Sequence, residues 1–349
     1  MKRSTLAAPA LLTVVLATVT ACSSGSETAA VDAQTITITN CDTDLEFPSP
    51  AQRLFVNDGN MISMALALGA QDQVVAVSSM QRDAETLARH YGQDVVDGLN
   101  QVAPEYPSRE TVLAQDPDTM IAGWNYGYSE DKNLTPDSLR ADGIPAYTLT
   151  ESCRQTDGER ARGTVPPWDA LRADLTNIGE ITGRADTAQD VIADVDERLA
   201  ALESAPQAQT PPTIFLFDSA TDTVYTSGRF GAPQAIIEAA GAVSATADID
   251  DTWVAVSWER IAAANPDAFL FVDYPPQTFA EKIELLRTRP GFADLPAVRD
   301  SRFLNLPYAL WTSGPLNVDA AEQVRARLEQ WQLVPESGIV PKFDDSVPA

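Results

Sequence analysis

The sequence predicts an α/β protein built from two lobes of similar construction. A segment that begins at Ser108 has a second copy that begins at Ser257, and the two share Ser, Glu, Ala, Pro and Asp at the same offsets. Each copy ends in Pro-Asp and runs into an apolar stretch, 119–124 in one case and 268–273 in the other. This pattern is typical of a short helix that proline ends, followed by a buried strand. Because it occurs twice, we predict two lobes in which strands and helices alternate.

Composition supports a globular protein and argues against one class of partner. The chain has 349 residues, of which 44% are hydrophobic, and a formal net charge of −26. This length suits two domains of ordinary size. Binding to nucleic acid needs clustered Lys and Arg, which so acidic a chain does not favour. An anionic ligand would likewise need individually placed arginines.

The N-terminus has the features of a targeting segment. Lys2 and Arg3 precede an apolar run, Leu6–Val19, that is too short for a comfortable membrane span. Small residues before Cys22 resemble the bacterial lipobox, in which the cysteine is lipidated after cleavage. We therefore expect a signal peptide over 1–21, lipidation (palmitate) at Cys22, a flexible tether over 22–34, and anchoring on the extracytoplasmic face of the cell membrane. A plain secretory signal is the alternative.

The remaining two cysteines are expected to form a disulfide. With Cys22 lipidated, Cys41 and Cys153 are left as a pair in an oxidising compartment. Metal binding or catalysis is less favoured, because neither has a Cys or His neighbour at ligand spacing.

The rest of the chain divides by pattern into four further parts. Strand and helix patterns alternate over 35–165, the predicted N-terminal lobe, and again over 206–335, the predicted C-terminal lobe. Between them, 166–205 is helical, and a helix over about 186–203 spans roughly 27 Å at about 1.5 Å per residue. We predict that this helix joins the lobes, although an ordinary surface helix has the same spacing. The tail, 336–349, shows no pattern.

Candidate ligand-binding residues are found mainly where predicted strands end. In open α/β sheets, ligands bind beyond the carboxyl ends of the strands. These ends are rich in aromatic and small polar residues, which is the lining expected for a sizeable organic ligand, although a single aromatic residue is more often part of the core. The predicted set is Asn57, Arg82, Trp124, Asn125, Tyr126, Arg229, Phe230, Trp253, Tyr274, Tyr308 and Trp311.

Enzyme motifs are not found. The single histidine, His90, lies in a helical pattern, where a surface or packing role is expected. The sequence contains no Gly-x-Ser-x-Gly motif and no phosphate-binding loop. Direct capture of zinc or manganese usually recruits several histidines. We therefore predict no catalytic residues, no protein-bound metal and no cofactor.

The whole chain after the signal peptide resembles the substrate-binding lipoproteins of ABC importers for ferric siderophores and cobalamin. The resemblance rests on Thr37–Asp42, Pro50–Arg53, Leu66–Gly69, the two repeated segments and the helix between the lobes. It implies two Rossmann-like lobes joined by one long rigid α-helix, with the ligand cleft between them. It also implies that Glu110 and Glu259, one per lobe, dock onto the permease dimer, which works with its ATPase. The alternative is that both glutamates only stabilise helix N-termini.

The resemblance implies import but leaves the ligand open. For an anionic Fe(III)–siderophore complex, Arg82, Arg154 and Arg229 are candidate charge partners. A corrinoid such as cobalamin would instead use the aromatic residues, and a deazaflavin-cofactor precursor is a further alternative. A surface-anchored hydrolase and an adhesion lipoprotein without a small ligand are weaker alternatives. We expect a monomer.

Overall fold

Two mainly parallel sheets organise the chain, one in each lobe. The structure is a computed structural model that describes residues 34–156 and 159–348. The predicted signal peptide, Cys22 and nearly all of the predicted tether lie outside the described residues. The described α/β architecture with two lobes confirms the predicted fold class.

The first lobe is built on a sheet in the order β5-β4-β3-β6, with β7 and β8 both paired to β6. The pairs of β3 with β4 and β6 are parallel, and so is the pair of β6 with β8. An antiparallel hairpin, β1 with β2, precedes this sheet. The strands are β1 Gln34–Asn40, β2 Thr43–Ser49, β3 Leu54–Asn57, β4 Val74–Ser78, β5 Gln101–Ala103, β6 Thr119–Trp124, β7 Gly127–Tyr128 and β8 Ala146–Thr148. The helices are α1 Gly59–Ala67, α2 Ala84–Tyr91, α3 Gln93–Asp97, α4 Arg109–Leu113 and α5 Pro136–Ala141.

Two helices, and not one, connect the lobes. They are α6 Pro167–Thr182 and α7 Ala185–Ser204. Gly183 adopts a left-handed conformation (φ 68°) that ends α6, and such a position favours glycine. After it the chain turns back, so that Arg172 of α6 pairs with Asp196 of α7. The predicted single long interlobe helix is therefore not confirmed.

The second lobe repeats the parallel design on a sheet in the order β12-β9-β14-β15. A small antiparallel sheet, β10-β11-β13, lies beside it. The strands are β9 Thr213–Phe217, β10 Ser219–Ala220, β11 Val224–Ser227, β12 Val243–Ser244, β13 Trp253–Val256, β14 Ala268–Asp273 and β15 Phe303–Pro307. The helices are α8 Ala232–Ala239, α9 Trp258–Ala264, α10 Phe279–Thr288, α11 Pro296–Arg299 and α12 Asn317–Gln330.

The repeated segment occupies the same place in both lobes. Its helix, α4 or α9, leads into the strand that pairs in parallel with the first sheet strand of the lobe, β3 or β9. The final Asp of each copy makes matching bonds at that junction. The backbone N–H of Asp118 donates to the carbonyl of Arg53, and that of Asp267 donates to the carbonyl of Thr213. The carboxylates of the two Asp residues accept from backbone N–H groups of residues 52 and 213.

The C-terminal segment, residues 335–348, is bound to both lobes. Asp345 is 2% exposed and exchanges hydrogen bonds with the side chain of Gln323 on α12. On the first lobe it contacts Arg89 at 3.2 Å and His90 at 3.2 Å. The His90 ring packs on Phe343, with ring centroids 4.0 Å apart, which agrees with the packing role expected for this histidine.

A disulfide joins Cys41, after β1, to Cys153. It ties the β1–β2 hairpin to the segment that leaves the first lobe. Beside it, the Asn40 side chain both donates to the backbone carbonyl of Thr148 and accepts from its N–H.

Candidate functional site

A cavity of about 350 Å³ lies between the lobes, and we call it the inner cavity. Both lobes and the loop that leaves the first lobe contribute to its wall. It is lined by Tyr106, Asn125, Tyr126, Arg162, Asp218, Ser219, Tyr225, Trp253, Tyr274, Pro275, Pro276 and Tyr308. Six of these side chains are aromatic, so the wall offers flat apolar faces with hydroxyl groups at their edges.

The inner cavity lies where parallel strands end. Asn125 follows β6, and Asp218, Tyr274 and Tyr308 follow β9, β14 and β15 respectively. Asn125 has φ 63°, a left-handed conformation that turns the chain sharply at the end of β6. The cavity therefore lies where the rule that ligand sites form beyond the carboxyl ends of strands leads one to expect a ligand.

A buried polar cluster forms the floor beneath the inner cavity. Asp58 is fully buried, and it accepts from Arg82 at 3.0 Å, from the Tyr106 hydroxyl at 3.0 Å and from the Tyr308 hydroxyl at 3.4 Å. Arg82 also donates to the Tyr274 hydroxyl at 3.2 Å. Its guanidinium carbon lies 4.8 Å and 4.9 Å from the ring centroids of Tyr274 and Tyr308. Arg82 of the first lobe is thus held by two tyrosines of the second.

A second acid makes the floor cluster sensitive to protonation. Asp83 is also fully buried, accepts from the backbone N–H of Ala309 at 3.1 Å, and lies 3.8 Å from Arg82. Burial raises its pKa to about 8, and the nearby Asp58 adds to the effect. Burial also raises the pKa of Asp58, while Arg82 acts in the opposite direction. With one arginine and two acids, the cluster is neutral when the pair of acids holds one proton.

Glu151 links the lobes at the wall of the inner cavity. It is 1% exposed, and its carboxylate accepts from the Tyr126 hydroxyl at 3.0 Å and from the N–H of Ala232, at the start of α8, at 3.0 Å. Burial raises the pKa of Glu151 to about 7, against the lowering effects of these bonds and of Arg162. A helix N-terminus is a favourable place for this carboxylate.

A second cavity, of about 500 Å³, adjoins the first and is called the outer chamber. The two share four lining residues, and these define the neck: Asn125, Arg162, Tyr225 and Trp253. The outer chamber contains Arg154, Arg160 and Arg162 together with Glu130, Asp131 and Asp251. The ring centroids of Tyr225 and Trp253 lie 6.0 Å apart, and the rings are nearly parallel.

Seven of the eleven predicted ligand-binding residues lie in or beside these cavities. Arg82 belongs to the floor cluster. Trp124 lines the outer chamber, where the Arg154 guanidinium lies 3.7 Å from its ring centroid. The residues that line the inner cavity are Asn125, Tyr126, Trp253, Tyr274 and Tyr308.

The other four lie elsewhere. Asn57 is fully buried and binds the carbonyl of Tyr126 and the hydroxyl of Ser78. Trp311 is fully buried in the second lobe, where its indole N–H donates to backbone carbonyls. Arg229 is exposed, pairs with Asp250, and packs on Phe230.

Seven residues that line the inner cavity were not in the predicted set. Asp218 and Ser219 follow a predicted strand, so their position carried a usable signal. The Tyr106 and Arg162 loops have no local pattern that places them at the cleft. The full list is Tyr106, Arg162, Asp218, Ser219, Tyr225, Pro275 and Pro276.

Glu110 and Glu259 have matching environments on the two lobes. Each is exposed and is the second residue of a helix whose N-cap is a serine, Ser108 or Ser257. The residue's own backbone N–H, and then the serine hydroxyl, lower the pKa of each glutamate. Both therefore present an ionised carboxylate at neutral pH.

Within residues 34–156 and 159–348, no group of three or more His, Cys, Asp or Glu side chains could hold a metal ion. None of the described helices combines the length and apolar character needed to cross a membrane.

Comparisons with known proteins agree on one family. A family model described as periplasmic binding protein matches residues 58–310. No curated protein sequence matches the chain. Many solved structures do. One is a periplasmic binding protein from Veillonella parvula, with 21% identity, coverage of 85% of this chain and 98% of that one, and a TM-score of 0.71.

Two further structures are named for what they bind or transport. One, from Saccharomonospora viridis, belongs to an ABC-type Fe³⁺-hydroxamate transport system, with 23% identity, coverage of 84% and 98%, and a TM-score of 0.68. The other is a heme-binding protein from Roseiflexus, with 24% identity, coverage of 80% and 98%, and a TM-score of 0.62. At these identities the likeness shows the fold.

Proposed function

The chain belongs to the periplasmic binding protein family, and we propose that it captures an Fe(III)–siderophore complex and delivers it to an ABC permease. Members of this family are extracytoplasmic solute-binding proteins, not enzymes, and they work with a permease and its ATPase. The proposal concerns the ligand and the way in which this chain meets its partners.

The inner cavity carries the ligand proposal. Its six aromatic side chains, together with the adjoining outer chamber, provide room and flat surfaces for a sizeable organic chelate. The similar structure from an Fe³⁺-hydroxamate transport system supports a ferric complex. A chelate brings its own iron ligands, so the protein needs to supply shape, aromatic contacts and charge, which these cavities offer.

A fluorescence titration tests the ligand class. Trp253 lines the inner cavity, so a ferric siderophore that enters it should quench tryptophan emission to saturation. Trp253→Phe should remove most of this quenching, whereas Trp331→Phe, which changes a residue at the end of α12, should retain it. No response to a ferric hydroxamate, a ferric catecholate or cyanocobalamin would reject the proposal. A response to cyanocobalamin alone would favour a corrinoid, and native mass spectrometry of protein from its host would identify a deazaflavin precursor.

We further propose that Glu110 and Glu259 dock onto the permease. The two carboxylates are exposed and occupy equivalent places in the two lobes. Such a pair can contact a partner with two-fold symmetry at two points. The Glu110→Ala, Glu259→Ala double variant should lose uptake and keep its ligand affinity.

A matched double variant separates docking from helix capping. Glu85 and Glu281 are also exposed glutamates in the first turns of helices, one per lobe, but lie outside the repeated segments. If Glu85→Ala with Glu281→Ala reduces uptake as strongly, or if the first double variant imports normally, docking through the repeated glutamates is refuted.

The membrane attachment is proposed on the sequence of the N-terminus. Cys22→Ser should release the protein from the membrane fraction and abolish palmitate labelling. Retention in the membrane fraction would contradict a lipid anchor at this cysteine. We also propose a monomer, which light scattering after gel filtration tests.

A further inference from the structure

Arg162 occupies the neck between the inner cavity and the outer chamber. It lines both spaces, yet it is 6% exposed. Among the described residues, no carboxylate oxygen lies within 4.0 Å of its guanidinium, whereas Arg82 and Arg154 each have such a partner. Glu151 is close enough for Arg162 to influence its pKa, but it uses its oxygens on Tyr126 and Ala232.

The hydrogen bonds of Arg162 leave part of the guanidinium without a partner. Its Nη1 donates to the carbonyl of Trp124 at 3.2 Å, a neutral acceptor, whereas its buried Nε has no acceptor. The indole N–H of Trp253, also buried and on the neck, has no acceptor within hydrogen-bond distance, although it lies close enough to Glu151 to lower the pKa of that carboxyl. A buried cation with no carboxylate in direct contact is costly, and so is a buried donor without an acceptor.

The backbone around Arg162 is held in place before any ligand arrives. Its N–H donates to the Asp251 carboxylate at 3.1 Å, and its carbonyl accepts from the Gln155 side chain at 3.1 Å. The next residue, Gly163, bonds to the carbonyl of Cys153, which the disulfide fixes. A side chain at Gly163 would overlap Phe230, so the loop is closely seated on the second lobe. A preorganised donor of this kind gives more selectivity than a mobile one.

We propose that Arg162 is a specificity-determining residue that binds an anionic group of the ligand at the neck. The aromatic or chelate body of the same ligand then occupies the inner cavity, where the six rings lie, and Trp253 supplies the second donor. This inference rests on the proposed function to the extent that the ligand enters the cleft between the lobes. It requires that ligand to carry an anionic group, namely a carboxylate, a phosphate or a catecholate oxygen, beside a largely apolar body.

Two pairs of probes that differ in charge test the inference by calorimetry. One pair is trianionic ferric enterobactin and uncharged ferrichrome; the other is flavin mononucleotide and riboflavin, which share one ring system. We expect the anionic member to bind more tightly by roughly tenfold or more, the range of a hydrogen bond to a charged group. Arg162→Gln should abolish this preference without weakening the neutral member, and Arg162→Lys should restore part of it. The control Arg154→Gln changes an outer-chamber arginine that already pairs with Glu130 at 2.7 Å and should keep the preference.

Equal binding of both members by the wild type, or an equal loss of both in Arg162→Gln, overturns the inference. The wild type could bind flavin mononucleotide but neither ferric complex, and Arg162→Gln could lose that binding. In that case the siderophore proposal fails and the role of Arg162 stands. The melting temperature of the ligand-free protein gives a further readout. If Arg162 is a binding residue, the Arg162→Gln variant should melt at the same temperature as the wild type or at a higher one. A marked fall in the melting temperature of Arg162→Gln, in a protein that binds none of the probes, would show that Arg162 has a structural role.

Discussion

Replacing Glu151 by Gln should remove a pH-dependent part of the stability of this protein. Glu151 is buried between the lobes, and burial raises its pKa to about 7 from the ordinary 4.5. Below pH 4.5 Glu151 is protonated in both the folded and the unfolded protein, so its favourable contribution to the free energy of unfolding is complete. Between pH 4.5 and 7 the unfolded chain ionises first, and the free energy of unfolding falls as the pH rises. Above pH 7 Glu151 is ionised in both states, so it no longer makes the free energy of unfolding change with pH.

The size of the effect follows from the two pKa values. Each unit of difference is worth about 1.4 kcal/mol, so the wild type should lose roughly 2 to 3 kcal/mol between pH 5 and pH 8 through this group alone. Glutamine keeps the shape and one acceptor oxygen but cannot ionise. The variant should therefore match the wild type near pH 5 and exceed it by that amount at pH 8.

Urea denaturation between pH 5 and pH 8.5 measures the difference. Asp83 and Asp174, whose pKa values burial raises to about 8 and about 7, are present in both proteins, so their contributions cancel in the comparison. Glu203→Gln, which changes an exposed residue of α7, controls for the loss of one negative charge. Equal pH slopes for the wild type and Glu151→Gln would refute the argument that Glu151 is protonated in the folded protein near neutral pH.

Two further predictions concern the long-range ties. Cys41→Ser with Cys153→Ser should lower the free energy of unfolding by about 3 to 5 kcal/mol, because the disulfide closes a loop of 112 residues; a loss under roughly 1 kcal/mol in denaturant titrations would contradict this. Ending the chain at Val340 should cost roughly 2 kcal/mol, because it removes Asp345 and its buried bonds; unchanged urea midpoints would show that the tail contributes nothing.

The duplicated fold was predictable because the repeated segment performs the same local task twice. Its Asp residues, Asp118 and Asp267, bond to backbone groups 66 and 54 residues earlier in the chain. The helix, the proline that ends it and the strand that follows are nevertheless all set within the segment itself. The helical connector, residues 166–205, was harder to predict. The pattern indicated that 166–205 is helical, but the reversal at Gly183 depends on contacts between α6 and α7, such as Ala188 against Gly179, which a linear pattern does not contain.

The same distinction between local and long-range signals applies to the candidate site. Residues directly after strands, such as Asn125, Tyr274 and Tyr308, could be predicted because parallel strands end at one edge. Trp311 also follows a strand, but the short helical turn over 308–310 directs it into the core, and sequence alone gives no sign of this. Arg162 lies in a loop whose path depends on a disulfide and on Asp251 of the other lobe. Its role therefore appears only in three dimensions.

The contacts between the lobes at the floor of the inner cavity limit how far the cleft can open. Asn60 donates to the carbonyl of Ser313 at 2.8 Å, Ala309 donates to Asp83, and Arg82 donates to Tyr274, so buried polar bonds cross between the lobes beneath the inner cavity. Wide opening would break them, and each buried group left unpaired costs about 1 to 3 kcal/mol. We therefore expect the lobes to separate little when the ligand binds, so that Arg162 at the neck and the aromatic wall keep the arrangement that the structure shows.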